Sequence, residues 1–387
     1  MISATPRNYD VIIAGGGIVG AACARACARA GFHVALVERD VLGGGATAAG
    51  MGHIVVMDDS EAQFALTRRS QRLWHDLAGS LPPGAEFEAT GTIWVAADDE
   101  ELAEAERKHE YLTGRSVPSR MLSRDELIRV EPNLRADLAG GLLVTEDAVV
   151  YPPVVALHLA QELTTLGSEI ILGHSILRFA DGEAHLDDST LLRAPRLVNA
   201  LGAHSPDLTP SIPVKKRKGH LAITDRYPGF IRHQIVELGY LKSAHAITAD
   251  SVAFNVQPRQ TGQILIGSSR QYGNDDHAVD QEILSTMLKR AELYVPGIGD
   301  LNVLRIWTGF RAATPDKLPL IGPHQGDPTV WLATGHEGLG ITTAFATAEL
   351  LVCALTETAP PIAPEPYFPS RFDLGSATNT LTHQETA

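Results

Sequence analysis

Three glycines and one acid near the N-terminus carry chemistry by type and spacing. "GGGIVG" sets Gly15, Gly17 and Gly20 in the order G-x-G-x-x-G, and Glu38 closes the next apolar run. In such a pattern the first glycine turns the chain tightly and the second lets backbone approach a pyrophosphate. The third lets a helix pack closely on a strand. A helix opening at that turn offers free N–H groups and the positive end of its dipole to phosphate. A carboxylate in the position of Glu38 accepts hydrogen bonds from ribose hydroxyls and disfavours a phosphorylated ribose. These residues imply a dinucleotide site without separating nicotinamide from flavin.

The pattern has weight only inside a strand–helix–strand unit. Val11 to Ala14 is a short apolar run suited to a buried parallel strand, residues 21–30 form an alanine-rich helix that Gly31 ends, and residues 34–37 form a second strand. Ser60 opens another helix with capping-box spacing to Gln63, and Ser123 with Glu126 repeats the device. "GTIWVAA" reads as a strand and "DDEELAEAERKHEYL" as a surface helix with acids at its N-terminal end. From Tyr151 the first kind of pattern returns as a helix, a strand and the buried strand of "RLVNALG". "VAFNVQP" and "GQILIGSS" alternate like antiparallel strands. A strand, a glycine-rich turn and a helix over residues 341–355 close the core. The Pro-rich "APPIAPEPYFPSRF" then reads as a strap and residues 373–387 as a loose tail. With no repeat and no linker, two interleaved domains are expected.

Composition narrows the function classes. The 387 residues are 44% apolar and 20% charged, as in ordinary globular proteins. Lys and Arg number 32 against 46 acids, a net charge of −14 that argues against nucleic acid as a partner. Three cysteines build no disulfide framework and suit a reducing compartment. Cys23 and Cys27, one helical turn apart among alanines, read as small-residue packing, and no metal site is expected. "MISATPRNYD" lacks the apolar core of a secretory signal, and "VIIAGGGIVGAACA" is too short and glycine-broken to span a bilayer. A cytoplasmic protein without a membrane span is expected. The run "KKRKGH" at 215–220 reads as a solvated loop, or else a contact for an acidic partner subunit.

A second small-residue run, "GGGATAAGMGH" at 43–53, follows Glu38 closely. A nicotinamide needs one phosphate turn, whereas an extended flavin dinucleotide needs more backbone packed along its length. "GHEGLGIT" at 335–342 adds a third run, at the start of the last helix, where N–H groups stabilise negative charge. Together with "RLVNALG" and "WTGFRAATPDKLPLIGP", these motifs resemble the FAD-dependent amine and amino-acid oxidoreductases of the D-amino-acid oxidase superfamily, relatives of glycine oxidase and sarcosine oxidase. The resemblance runs from about Tyr9 to Phe372, with the motifs in family order. "ATAAGMGHIVVMDD", "TGFRAATPDKLPLIGP" and "GHEGLGI" are most similar to the catalytic β subunit of bacterial D-hydroxyproline dehydrogenases.

The resemblance implies an α/β (α+β) fold. A discontinuous Rossmann-like FAD-binding domain (1–80, 145–213, 305–372) would be interleaved with a mostly antiparallel substrate domain (81–144, 214–304). It implies Gly15, Gly17, Ile18, Val19 and Gly20 at the pyrophosphate, Glu38 and Arg39 at the adenosine ribose, and Ile176 at the adenine. Thr47, Ala48, Ala49, Gly50, Met51 and Gly52 would pack along the ribityl chain and ring, with Ala200, Gly202 and Gly309 beside the cofactor. Gly335, His336, Glu337, Gly338, Leu339, Gly340, Ile341 and Thr342 would lie at the pyrimidine edge. Arg311 matches the arginine that grips the substrate carboxylate, although an Arg after "RIW" also suits a buried ion pair. Ala312 stands where many members have Pro.

Asn255 would face the substrate or make only local hydrogen bonds. His53 would be a polar group on the flavin face or a structural histidine, and His336 would act through its backbone. Relatives that attach flavin covalently use a cysteine near Arg311; none stands there, so non-covalent FAD is expected. The implied reaction oxidises the Cα–N bond of an amino acid by hydride transfer to flavin N5, giving an imine. D-hydroxyproline, D-proline or another D-amino acid would be the substrate, with glycine or sarcosine as the alternative. An NAD-dependent dehydrogenase and a non-catalytic flavin-binding subunit are the readings from other classes, and partner subunits of a hetero-oligomeric dehydrogenase remain open.

Overall fold

A computed structural model describes residues 7–239 and 250–372. The expected tail at 373–387 lies outside them. A six-stranded sheet runs in the order Leu320–Pro323, Val330–Thr334, Leu197–Asn199, Val11–Ala14, Val34–Glu38, Glu169–Leu172. Its pairs are parallel except the first, which is antiparallel. Val11–Ala14 is wholly buried because both faces are covered. On one side Val11 and Ile13 pack against helices Ile18–Arg29, Pro152–Thr165 and Gly340–Thr356. On the other, Ile12, Ala35 and Val37 meet Ala184, Leu186 and Leu192 of a small four-stranded sheet that the sequence reading lacked.

The opening helix starts at Ile18 rather than residue 21, with Gly17 as its N-cap, so Gly20 lies in its first turn. Cys23 and Cys27 are buried free thiols in its packed face. The capping box forms in both halves at Ser123–Glu126. At Ser60 the serine half forms, its hydroxyl accepting from the Gln63 N–H at 3.1 Å. The Pro-rich strap is anchored by Tyr367, which is buried against Leu66 and Ile321 and donates to the Ala62 carbonyl at 2.6 Å.

An eight-stranded sheet forms the second body, in the order Val303–Ala313, Lys215–Thr224, Ile264–Arg270, Ser251–Pro258, Gln234–Glu237, Thr92–Ala96, Gly140–Val144, Ser119–Ser123. It is antiparallel apart from the pair of Gln234–Glu237 with Thr92–Ala96. Here the basic run departs from expectation. Lys215–Thr224 is an interior strand, and Arg217, Lys218 and His220 are buried. The apolar "LAIT" that follows extends the strand back through the charges, because both neighbouring strands need its backbone for their ladders. Lys218 is satisfied by Asp276 at 2.8 Å. The run is therefore no loop, and of its basic residues Lys215 is exposed and Lys216 half-buried.

The two bodies are joined by a short ladder of His53–Ile54 with Ala148–Val149. Next to it Asp147 is fully buried, its Oδ1 accepting from the Val56 N–H at 3.2 Å and the Gln71 Nε2 at 2.8 Å. Burial pushes its carboxyl up to about 7, against the pull of the hydrogen bonds from Val56 and Gln71. The folded chain thus keeps a proton that the unfolded chain releases near 3.8. Asp147 therefore costs stability progressively as pH rises from about 4 to 7, and little below that window. Asp147→Asn keeps the Oδ1 acceptor and removes the titration. Denaturant melts should show the variant gaining on the parent protein by a few kcal/mol, in order of magnitude, between pH 4 and 7. An identical difference at both ends would refute a buried proton here.

Candidate functional site

A cavity of about 600 Å³ opens at the C-terminal ends of the parallel strands, where the six-stranded sheet meets the eight-stranded one. In open α/β sheets this is where ligands bind. Gly15 leaves Val11–Ala14 at φ +105°, a conformation that favours glycine, and its N–H donates to Val37 O at 2.8 Å. Glu38 reaches back across the turn. Its two carboxylate oxygens accept from the Gly16 and Asp40 N–H groups, each at 2.7 Å. A carboxylate offers about four acceptor sites, so both oxygens keep capacity for hydroxyls in the cavity.

The second glycine run has a structural task beyond any ligand. It forms a short helix, Gly45–Ala49, whose Thr47 Oγ1 accepts from the Ile18 N–H at 3.0 Å. The run thereby caps the opening helix, which its own N-cap Gly17 cannot do. Ala49 O accepts from Trp307 Nε1 at 3.3 Å and Met51 O from Gln257 Nε2 at 2.7 Å, tying the run to the eight-stranded sheet. A Cβ on Gly309 would sit 2.5 Å from Ala49 Cβ, and one on Gly50 would sit 2.8 Å from Ile341 Cδ1. Small residues are needed here because three elements crowd together.

The third run turns from Val330–Thr334 into Gly340–Thr356, whose first turn has no side-chain cap. Its Gly340 and Ile341, like Gly17 and Ile18 of the opening helix, line the cavity. Two helix N-termini without caps of their own thus converge on one space, a setting that favours an anionic ligand. Of the residues named from sequence, Gly15, Gly17, Ile18, Val19, Glu38, Arg39, Thr47, Ala49, Gly50, Met51, Gly52, Ile176, Ala200, Gly202, Gly309, His336, Glu337, Gly338, Gly340 and Ile341 line the cavity. So do His53, Asn255 and Arg311.

Five named residues lie off the cavity wall, each for a physical reason. Gly20 lies behind the turn, where a Cβ would collide with the Gly15 carbonyl. Ala48 faces solvent on its short helix. Gly335 packs under Thr314 at φ +79°. Leu339 turns into the cluster of Val55, Val56 and Met57. Thr342 is buried beneath His53, donating to its carbonyl at 2.8 Å.

Arg311 lies across Gly219, whose missing side chain leaves room for the guanidinium, and donates to Ser269 O at 2.9 Å. Burial, and secondarily Arg217, pull its pKa down, while Glu337 opposes them. Glu337 receives Arg217 Nη1 at 2.9 Å. Burial pushes the Glu337 carboxyl up, yet Arg270, Arg311 and Arg217 together hold it below the ordinary carboxylate value. Asn255 is buried and its Oδ1 has no partner among the described residues, and the same holds for His53 Nε2. His336 Nε2 meets Thr347 Oγ1 at 2.9 Å.

Sequence reading missed Gly219, His220 and Ser268, which also line the cavity. The Asp280 N–H donates to His220 Nε2 at 3.0 Å, so its Nδ1 carries the hydrogen facing Ser269 Oγ at 2.9 Å. Reading "KKRKGHLAIT" as one strand would have found the first two. None of the three cysteines lines the cavity, Cys353 lying instead beside Phe368 and Leu350 under the strap. The long cavity, the paired acceptors of Glu38, the two helix N-termini and Arg311 at the far side fit an extended dinucleotide next to a small carboxylate.

Comparison with known proteins bears on the same residues. Residues 10–354 match the DAO family, described as FAD dependent oxidoreductase. The hydrogen cyanide synthase subunit HcnC of Pseudomonas aeruginosa is 28% identical, over 95% of this chain and 97% of its own. Glycine oxidase of the same organism is 27% identical, over 93% and 98%. Among solved structures, glycine oxidase from Geobacillus kaustophilus superposes with a TM-score of 0.85 at 24% identity, covering 95% of this chain and 99% of that one. L-proline dehydrogenase from P. horikoshii gives 0.82 at 23% identity, covering 95% and 99%. At these identities the structures establish the fold.

The histidines yield a pH prediction. Burial, with Arg311 second, lowers His53 to about 3, and burial alone lowers His336 to about 3. His220 is also lowered, by burial first and Lys218 second. His53 and His336 stay neutral in the fold where the unfolded chain would protonate, so stability is lost as pH falls below about 6.5 towards 3. Between pH 5.5 and 8 the rate of the cavity's chemistry should show no ionisation from these two rings. A histidine-like break near 6.5 that vanishes in His53→Gln would contradict the neutral assignment.

Proposed function

Because the chain belongs to the DAO family of FAD-dependent oxidoreductases, we propose that it oxidises the Cα–N bond of a carboxylate-bearing amine to an imine. D-hydroxyproline, D-proline or another D-amino acid is the favoured substrate. The observation that carries this reading is Arg311, a guanidinium opening on the cavity whose hydrogen-bond partner among the described residues is the Ser269 carbonyl. Its planar fork suits a carboxylate held by two parallel bonds. The preference for a cyclic D-amino acid rests on the likeness of "ATAAGMGHIVVMDD" and "TGFRAATPDKLPLIGP" to D-hydroxyproline dehydrogenase β subunits. Glycine or sarcosine is the second reading, favoured by the glycine oxidases at 27% identity.

Bound in this cavity, FAD supplies the two-electron acceptor that amine oxidation requires. The chain's own contribution is binding and alignment. Arg311 would fix the substrate by its carboxylate, which orients the Cα–H bond and the amine together. Met51 and Leu221 present apolar surface beside it, excluding water. His53 and Asn255 line the cavity, and with the His53 ring kept neutral by burial they would offer a bound ligand uncharged polar surroundings. No acid–base pair is needed, since the amine reacts as its neutral form.

A nicotinamide enzyme would not call for three small-residue runs around one cavity, and the family match replaces that alternative with FAD. The likeness to HcnC, which is named as a subunit, supports partner subunits for this chain too. Among the described residues no helix is long and apolar enough to cross a membrane, and a cytoplasmic setting accords with the buried free thiols Cys23 and Cys27.

The test is anaerobic mixing of the holoenzyme with D- and L-proline, hydroxyproline isomers, glycine and sarcosine, following the visible flavin band. Bleaching by at least one is expected, and silence across all of them would remove the catalytic reading. Arg311→Ala should raise KM for the reacting substrate about 100-fold, the loss expected when one partner of a buried charge pair is truncated, while the protein still purifies yellow. An unchanged KM would remove Arg311 from carboxylate binding.

A further inference from the structure

The carbonyl that holds Arg311 lies where one strand leaves its ladder. Lys215–Thr224 and Ile264–Arg270 pair at Ala222 with Ile266, and meet again in a bridge of Lys218 with Gln271. Lys218 lies four residues from Ala222, but Gln271 lies five from Ile266, so the strand carrying Ser269 has one extra residue. Such a bulge interrupts the ladder and re-aims the groups within it. Inside it the His220 N–H donates to Ser269 Oγ at 2.9 Å, a side chain standing in for a ladder carbonyl. The Ser269 carbonyl is thereby left to accept from Arg311 Nη1, also at 2.9 Å.

The imidazole of His220 secures the same serine a second time. Its Nε2 accepts from the Asp280 N–H at 3.0 Å, which leaves the hydrogen on Nδ1 to donate to Ser269 Oγ at 2.9 Å. Asp280 is the N-cap of helix Gln281–Tyr294, its carboxylate accepting from the Glu282 and Ile283 N–H groups. His220 and Ser269 are both buried, so solvent does not compete for these contacts. The ring thus spans from a helix end to the bulge. Arg311, by contrast, opens on the cavity, and Ser269 O is its hydrogen-bond partner among the described residues. The proposed reaction assigns His220 no task, yet His220 closes the bulge that presents this anchor.

We propose that His220 is a positioning residue for carboxylate binding: through Ser269 it fixes the carbonyl that aims Arg311 into the cavity. The inference rests on the proposed role of Arg311 and adds the residue that sets its affinity. The two donors that His220 presents to Ser269 Oγ hold that side chain in one rotamer, and the carbonyl of the same residue faces the guanidinium. Without the imidazole the hydroxyl keeps one of these donors, the bulge loosens and the guanidinium loses a fixed acceptor. A clamp of two parallel bonds weakens when its guanidinium is free to turn, because ordering it then opposes binding.

The test separates the two ends of the imidazole in the holoenzyme. An asparagine amide lies where Nδ1 does and a glutamine amide where Nε2 does. His220→Asn therefore keeps the tie to Ser269, His220→Gln keeps only the tie to Asp280, and His220→Leu removes both. KM of the reacting amino acid should rise about fivefold or more in His220→Leu and His220→Gln, the scale of a lost buried hydrogen bond, with kcat and FAD content little changed. His220→Asn should recover most of that loss, although it is the smaller side chain and leaves the helix end untied. Ser269→Ala should raise KM as His220→Leu does, and the double variant should add less than about twofold, since both changes break one contact. The Kd of propionate, a non-reacting carboxylate read by perturbation of the visible flavin spectrum, should rise in step. KM and Kd unchanged in His220→Leu and Ser269→Ala overturn the proposal. Equal losses in all three His220 variants also overturn it, being the mark of a residue that only supports the fold. If no amine bleaches the flavin, the proposed oxidation fails, and propionate still reads the positioning. If Arg311→Ala leaves the propionate Kd unchanged, the carboxylate clamp itself fails and this inference with it. Where His220→Leu yields no folded protein, the contrast between His220→Asn and His220→Gln decides.

Discussion

Close approach of elements that carry no side chains at their points of contact is the constraint on which this structure depends. Strand Val303–Ala313 and helix Gly45–Ala49 meet at Gly309 and Ala49. The last helix meets the same segment at Gly50, and the guanidinium of Arg311 lies over Gly219. A methyl group at Gly309 or Gly50 would push packed elements apart, whereas one at Gly219 would displace the guanidinium. Interiors are packed densely enough that such a displacement cannot be absorbed by rearranging neighbours at no cost. The cavity is what remains between the bodies when they are drawn this close, and its walls are backbone over much of their length.

Electrostatics then sorts the cavity into two ends. At one, the turn before helix Ile18–Arg29 directs a helix N-terminus inwards, and Glu38 sits beside it with both oxygens held by N–H groups. At the other, Arg311, Arg217 and Arg270 surround Glu337. Between them the polar groups are neutral. His53 and His336 are kept unprotonated by burial, and Asn255 carries no charge. A site built this way aligns an anion at each end and leaves an uncharged middle, which suits a transfer that requires orientation and a dry environment more than proton traffic.

How much of this could be read from sequence follows from the range of the interactions. The first βαβ unit was legible because its signals are local: an apolar strand, three glycines in fixed order, and an acid at the end of the next strand. The convergence of three small-residue runs was legible as composition, and most of their members do line the cavity. The five that do not show the limit. Gly20, Ala48, Gly335, Leu339 and Thr342 share the motifs, but helix phase and strand pairing turn them away. The basic run was misread because charge suggested solvent. Only pairing with Val303–Ala313 and Ile264–Arg270, both far along the chain, makes it an interior strand. The same long-range register hid Gly219 and His220, and it set Arg217 opposite Arg311. Nor could spacing alone announce that Thr47 caps a helix begun twenty-nine residues earlier at Ile18.

The claim that joins these observations is that an absent side chain at Gly219 positions the arginine at the cavity. Gly219→Ala addresses it directly. The added Cβ would collide with the flexible end of Arg311 and lie 3.0 Å from the Ser269 carbonyl, so the fold should persist with a small backbone adjustment while the guanidinium moves. In the purified variant, FAD content and visible spectrum should match the parent protein, while KM for the carboxylate substrate rises tenfold or more. An unchanged KM with FAD fully retained would contradict the account, because Arg311 would then not depend on the space that Gly219 leaves.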